Sequence, residues 1–151
     1  MIALSTQLAE RTADLQRLKA EYDNYRRRVE RDRNASAEQA TAKVLGALLG
    51  TLDDLDRADQ NKDLNGPMKA IVGGLASALE SVGLERYGQQ GDAFDPMIHE
   101  ALLHNFQPGL EGPICWDIYR PGYRFAGRVL RPAQVVVAEP PAPEESADGA
   151  A

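Results

Sequence analysis

From Met1 through Gln60 the chain contains no proline, and its larger residues recur at alternating four- and three-residue steps. The positions are Leu4, Leu8, Arg11, Leu15, Leu18, Tyr22, Tyr25, Val29 and Asp32, most of them apolar. The spacing averages about 3.5 residues, the period at which two helices bury a common seam. A lone helix cannot cover such a seam, so the pattern predicts a paired helical rod. Over Glu30 to Lys43 (ERDRNASAEQATAK) large apolar residues are almost absent. Ala, Glu, Gln and Lys still favour helix there, so helix is expected to continue with little packing to support it.

Apolar residues return at Val44, Leu45, Leu48, Leu49, Leu52 and Leu55 as an amphipathic stripe. Gly46 and Gly50 lie within it, each costing the helix about 1 kcal/mol relative to Ala, and they mark a place for a bend or break. Asn61 to Pro67 (NKDLNGP) reads as a loop, and Pro67 suits the first turn of a second helix. That helix places Met68, Ile71, Val72, Leu75, Leu79 and Val82 on one face. Gly83 follows directly, where a left-handed C-terminal cap calls for glycine.

Beyond Gly83 the pattern changes. Leu84 to Tyr87, Ile114 to Tyr119, Tyr123 to Val129 and Gln134 to Ala138 are strand candidates, with Arg120-Pro-Gly as a turn signal. The reading is α+β, in three parts: a helical dimerisation domain over 1–83, a small β-rich head over 84–138, and a tail over 139–151. The tail, EPPAPEESADGAA, is Pro- and acid-rich without a large apolar residue, a composition that predicts disorder.

A net charge of −6 argues against general nucleic-acid binding. The single cysteine, Cys115, leaves no intrachain disulfide and fits a reducing compartment. No apolar run reaches the length of a membrane span, and MIALSTQLAERTADL lacks the basic start and apolar core of a signal peptide. A cytoplasmic protein without membrane contact is expected.

Signals for chemistry are weak. His99 and His104 sit in HEALLH, five apart rather than the four of a zinc-binding HExxH helix, and no metal site is expected. Cys115 lies outside any nucleophile motif and reads as a small apolar residue. Asp53, Asp54, Asp56 and Asp59 lack the glycine and terminal glutamate of a calcium loop and read as a solvated helix face. Neither a catalytic set nor a cofactor loop is visible, so the chain is read as a binding protein and not an enzyme.

Two basic clusters remain. One, over Asn24 to Arg33, follows its heptads instead of preceding them as a zipper arm would, and Glu30 and Asp32 would oppose phosphates. It is either a solvated coiled-coil flank or a protein-contacting patch. The other is Arg120, Arg124, Arg128 and Arg131, with no acidic residue among them. On alternating strands 120, 124 and 128 would share a face and attract an acidic partner, provided no bulge intervenes.

Several motifs in order resemble the GrpE family, the nucleotide exchange factors of DnaK-type chaperones. They are AEYDNYRRRVERD and LLGTLDDLDRA in the helical part, VGLERYG at the end of the second helix, and FDPMIHEAL, PGY and GRVLRPAQVVVA in the head. The stretch LLGTLDDLDRADQNKDLNGPMKAI is most similar to actinobacterial members. The resemblance implies a homodimer with a long coiled-coil helix, a four-helix bundle with two helices from each subunit, and a compact head. It also implies a stress-response co-chaperone that binds the ATPase domain of a DnaK-type chaperone, opens its cleft and releases ADP. By motif position the implied contacts are Arg26 and Arg27 on the rod and Tyr119, Arg128 and Val137 in the head. Gly83 would set the helix-to-head junction, and Phe94, Asp95, Pro96 and His99 would shape the head. Two positions depart from the family pattern, Ala126 for the usual asparagine and Gln134 for the usual methionine. The reading of a different class is a coiled-coil scaffold whose head binds another protein.

Because the stretch from Glu30 to Lys43 has no apolar seam, helical signal is expected to fall at a lower temperature than the environment of Trp116 changes. Circular dichroism and tryptophan fluorescence recorded on one sample test this. A single transition in both would show that helix and head melt together. In the family such melting is implied to act as a heat sensor.

Overall fold

The structure, a computed structural model, describes residues 1–142. It is α+β, as the sequence predicts: α1 (Ile2–Gln60), α2 (Gly66–Val82), β1 (Leu84–Tyr87), β2 (His99–Phe106), β3 (Ile114–Arg120), β4 (Gly122–Phe125), β5 (Arg128–Arg131) and β6 (Ala133–Glu139). Strand β6 thus takes in Glu139, the first residue of the stretch expected to be disordered, while residues 143–151 lie outside the described residues. By contacts the chain divides into two units, Met1–Lys43 and the part from Val44 onward.

The first unit is helical from Ile2, and its seam is bare. Leu4, Leu8, Leu15, Leu18, Tyr22 and Tyr25 are all more than half exposed. Hydroxyls of Thr6, Thr12 and Thr41 each donate to the carbonyl four residues back, the local bond a helical threonine can make without breaking the ladder.

In the second unit the last turns of α1 run through Gly46 and Gly50 without a break. Helix survives there because Leu45 and Leu49 are buried on one side, which outweighs two glycines at about 1 kcal/mol each. A Cβ at either glycine would meet nothing, so both face open space. The loop that follows ends on Asn65, whose side chain accepts the Met68 N–H and caps α2, with Pro67 in the first turn. Gly83 ends α2 with φ of 113°, and its N–H reaches the carbonyls of Leu79 and Glu80. No residue of α2 is buried, although one of its faces is apolar.

The strands form two three-stranded sheets, β1-β4-β5 and β2-β6-β3. The first is antiparallel throughout; in the second, β6 runs parallel to β2 and antiparallel to β3. One core cluster joins Leu45 and Leu49 of α1 to Leu84 of β1 and Tyr123 of β4, with Leu52, Leu79, Phe125 and Leu130 around it. The other lies in the second sheet, where Cys115, Ala133, Val135 and Val137 are fully buried against Tyr87, Phe94, Ala101 and Ile118. Tyr87 ties the sheets together: its hydroxyl lies 2.7 Å from Ile98 O and 3.2 Å from Arg131 O, its one proton shared between the two carbonyls. Its ring lies over Gly122, where any side chain would overlap it.

The segment Tyr123 to Val129, expected as one strand, is two. Ala126 and Gly127, with φ of 49° and 73°, turn the chain between Phe125 and Arg128. A two-residue hairpin turn with both φ values positive favours Asn-Gly, and Ala126 obscures that signal. Exposed alanine at this φ carries a left-handed penalty that asparagine relieves in part. Ala126→Asn is therefore expected to stabilise the protein by up to about 1 kcal/mol. Urea unfolding measures it, and an unchanged or lower midpoint would show that the turn is not strained.

Candidate partner-binding surface

His99 and His104 both lie on β2, on either side of its bulge after Ala101, so simple alternation does not set their faces; they differ in burial. His99 is buried at the start of β2, stacked near Phe94, and its Nδ1 accepts the Asp95 N–H at 3.0 Å. His104 is exposed and pairs with Glu139 across the parallel ladder at 3.0 Å. Among the described residues no group of three or more His, Cys, Asp or Glu is placed to hold a metal. Burial, with Asp92 nearby, pushes the Cys115 thiol up, which keeps it protonated as a core residue. Burial likewise raises the Tyr87 and Tyr123 hydroxyls, so Tyr87 remains a donor to its two carbonyls.

The hairpin turn at Ala126-Gly127 means that Arg120, Arg124 and Arg128 do not line one strand. Three of the four arginines in this cluster are already paired. Arg124 Nε meets Glu85 Oε2 at 2.7 Å across the β1–β4 ladder, and its guanidinium stacks 5.4 Å from the Tyr87 ring centroid. Arg131 grips Asp53 with two bonds of 2.6 and 2.8 Å, and Arg120 Nε lies 3.4 Å from the same carboxylate. Arg128 alone is exposed without an ion-pair partner among the described residues. The expected basic face thus reduces to one available guanidinium.

The expected solvated face of α1 is corrected by the same contacts. Asp53 is only 10% exposed at its side chain. Asp56 Oδ2 lies 2.8 Å from Arg86 Nη1, an ion-pair distance without hydrogen-bond alignment. Asp54 and Asp59 remain at the surface, paired with Arg57 and Lys69. Three-residue spacing from Asp53 to Asp56, interleaved with Leu52 and Leu55, was the signal that these carboxylates share the buried side of the helix.

Other expected contact residues fall in different places. Tyr119, at a bulge before the end of β3, is 74% exposed and offers its ring freely. Val137 is fully buried in the second sheet's core, so its side chain has no surface for a partner; that expectation is corrected. Arg128 pairs opposite Phe125, which pairs opposite Leu84, whereas Tyr119 leads into the turn beside Tyr87. Leu84 and Tyr87 are three residues apart on β1, about 10 Å at the strand rise, so Arg128 and Tyr119 occupy opposite ends of the first sheet. Arg26 and Arg27 are exposed on α1 and make no ion pair among the described residues. Gly83 stands at the passage from α2 to β1. Composition gave no warning of the exposed apolar residues on the outer strands of the second sheet: Leu102, Leu103 and Phe106 on β2, and Trp116 on β3. Alternation is broken there by bulges after Ala101 and Cys115, which hides the surface from a period-two reading.

Comparison with known proteins gives one consistent answer. The GrpE family model matches residues 1–139. The chain is 52% identical to Protein GrpE 1 of Streptomyces avermitilis over 135 residues, which are 89% of this chain and 61% of that protein. It is 47% identical to Protein GrpE of Corynebacterium glutamicum over 139 residues, 91% of this chain and 63% of that one. Against Protein GrpE of Mycobacterium leprae the identity is 44% over 135 residues, 87% and 58% of the two chains. The chain thus spans about three fifths of the length of these relatives. With a family model covering nearly the whole of the described residues and relatives at about half identity, the chain belongs to the GrpE family.

Proposed function

We propose that this protein is a homodimeric, non-enzymatic nucleotide exchange factor that binds the ATPase domain of a DnaK-type chaperone and opens its cleft to release ADP. Residues 1–83 are read as the dimerisation domain and 84–138 as the chaperone-binding head, followed by the acidic, Pro-rich tail. The observation that carries the reading is the combination of family membership with a head whose Arg128 is exposed and without an ion-pair partner among the described residues, while its neighbouring arginines are paired. Tyr119, Arg26 and Arg27 supply further contacts, and Gly83 joins helix to head. No covalent step is required. The factor needs only to bind the open cleft more tightly than the closed one, and ADP then leaves the population so enriched.

Dimerisation is supported by unburied apolar surface. The seam from Leu4 to Tyr25 is bare, and α2 exposes Met68, Ile71, Leu75 and Val82. Leu52, Leu55, Val72, Ala76 and Leu79 line a groove of about 130 Å³ beside the first core cluster. Exposed apolar surface on this scale marks an interface. Two helices from each of two subunits would close it as a four-helix bundle. Static light scattering at micromolar concentration is expected to give twice the chain mass; a monomer would remove this part of the reading.

Stopped-flow measurement of labelled ADP leaving a DnaK-type ATPase domain tests the activity. Addition of this protein is expected to accelerate release, whereas a coiled-coil scaffold would leave the rate unchanged. Arg128→Ala should weaken chaperone binding by about 10- to 100-fold, since a charge-assisted hydrogen bond is worth roughly 1.5–3 kcal/mol. Dimer mass and helical signal should not change, because Arg128 makes no ion pair within the described chain. Wild-type affinity in the variant would leave Arg128 an ordinary surface arginine.

A further inference from the structure

Arg131 closes β5, and only Pro132 separates it from β6, so it stands where the chain passes from one sheet to the other. Its side chain is 17% exposed. Nη1 and Nη2 donate to the two oxygens of Asp53, and Nη2 also donates to Pro121 O at 2.7 Å. The guanidinium lies 5.3 Å from the centroid of the Tyr123 ring. Its own carbonyl accepts from Tyr87. One side chain is thereby tied to α1, to the β3–β4 turn and to β4, and its backbone to β1.

Such a pair contributes direction more than stability. Desolvation offsets much of the attraction between buried charges, but two parallel N–H···O bonds fix the plane of the guanidinium against that of the carboxylate. The apolar contact between α1 and the strands is the cluster of Leu45, Leu49, Leu84 and Tyr123, with Leu52 against it. Apolar burial has no preferred direction and tolerates rotation. Arg120 and the Asp56–Arg86 pair reinforce the same junction from either side. Nε of Arg131 is buried without a hydrogen-bond partner among the described residues, a cost accepted while the other donors hold their geometry.

From this geometry we infer that Asp53 and Arg131 are positioning residues for nucleotide exchange: their partly buried fork sets the angle of the β head on α1. The inference rests on the exchange-factor reading. A head held at one angle binds the chaperone's lobe in one orientation and so discriminates the open cleft from the closed. A head free to pivot binds both, and tight binding without discrimination shifts no population. Neither residue needs to touch the chaperone.

Two variants of the full chain test this. Arg131→Lys keeps the charge and loses the fork. Asp53→Leu with Arg131→Met removes both charges, so no buried charge is left unpaired. ADP release from a DnaK-type ATPase domain is followed against variant concentration, which separates the maximal rate from the half-saturating concentration. For both variants the maximal rate is expected to fall about tenfold or more while half-saturation moves less than about threefold, the split produced when transition-specific interactions are lost and general binding is kept. An unchanged maximal rate, or a loss confined to half-saturation, overturns the inference. A chaperone-independent readout keeps it separate from the exchange-factor reading. Spin labels on Thr51→Cys and Glu111→Cys, both exposed positions, report the helix-to-head distance in dimers diluted with unlabelled protein, and buried Cys115 is protected from labelling. A narrow distance distribution that broadens in both variants supports positioning even if wild-type protein proves not to release ADP. Unchanged width overturns it whatever the kinetics. Variants that cannot fold to a helical dimer would make the pair a folding requirement, which also overturns it.

Discussion

Leu45 and Leu49 are covered by Leu84 and Tyr123, and the second unit is organised around that contact. It explains how α1 passes two glycines without breaking, since burial on one side outweighs the conformational cost on the other. It also draws β1 and β4 against the helix, which brings Arg86 and Arg131 to the carboxylates of Asp56 and Asp53. The apolar contact supplies the attraction, and the charged pairs supply the direction.

From there the two sheets are held together by few groups. Tyr87 belongs to β1 yet packs in the core of the other sheet and donates to a carbonyl in each direction. Gly122 is required beneath its ring, and Arg131 accepts one of its bonds while holding α1 with its side chain. A displacement at Asp53 therefore has a short covalent and hydrogen-bonded route to both sheets. That economy ties a small head of short strands to its helix through few groups.

Apolar surface is distributed unevenly. The second sheet fully buries Cys115, Ala133, Val135 and Val137, while α2 buries none of its residues and the seam from Leu4 to Tyr25 is bare. Whole apolar stripes left open in this way are the surface on which the proposed dimer would form. On the head, Arg120, Arg124 and Arg131 are paired, while Arg128 has no ion-pair partner among the described residues.

Heptad spacing, Pro67 in the first turn of α2 and the Gly83 stop made both helices legible in the sequence, because turn residues and helical periodicity are local and repeat along the chain. The strand regions β1, β3 and β6 were legible for the same reason, through β-branched and aromatic residues near turn residues. Motif order was enough to indicate the family. What sequence could not decide were the consequences of long-range contact. The β4–β5 hairpin was masked because Ala126 occupies a position where asparagine would signal the turn. Strand β2 and its exposed residues were obscured by a bulge. Whether a given arginine is free or paired, and whether Val137 faces a partner or the core, depends on residues 10 to 78 positions away, such as Pro121 and Asp53 for Arg131. Local sequence sets which elements form; which charges remain available is decided only when the sheets close on the helix and choose their neighbours.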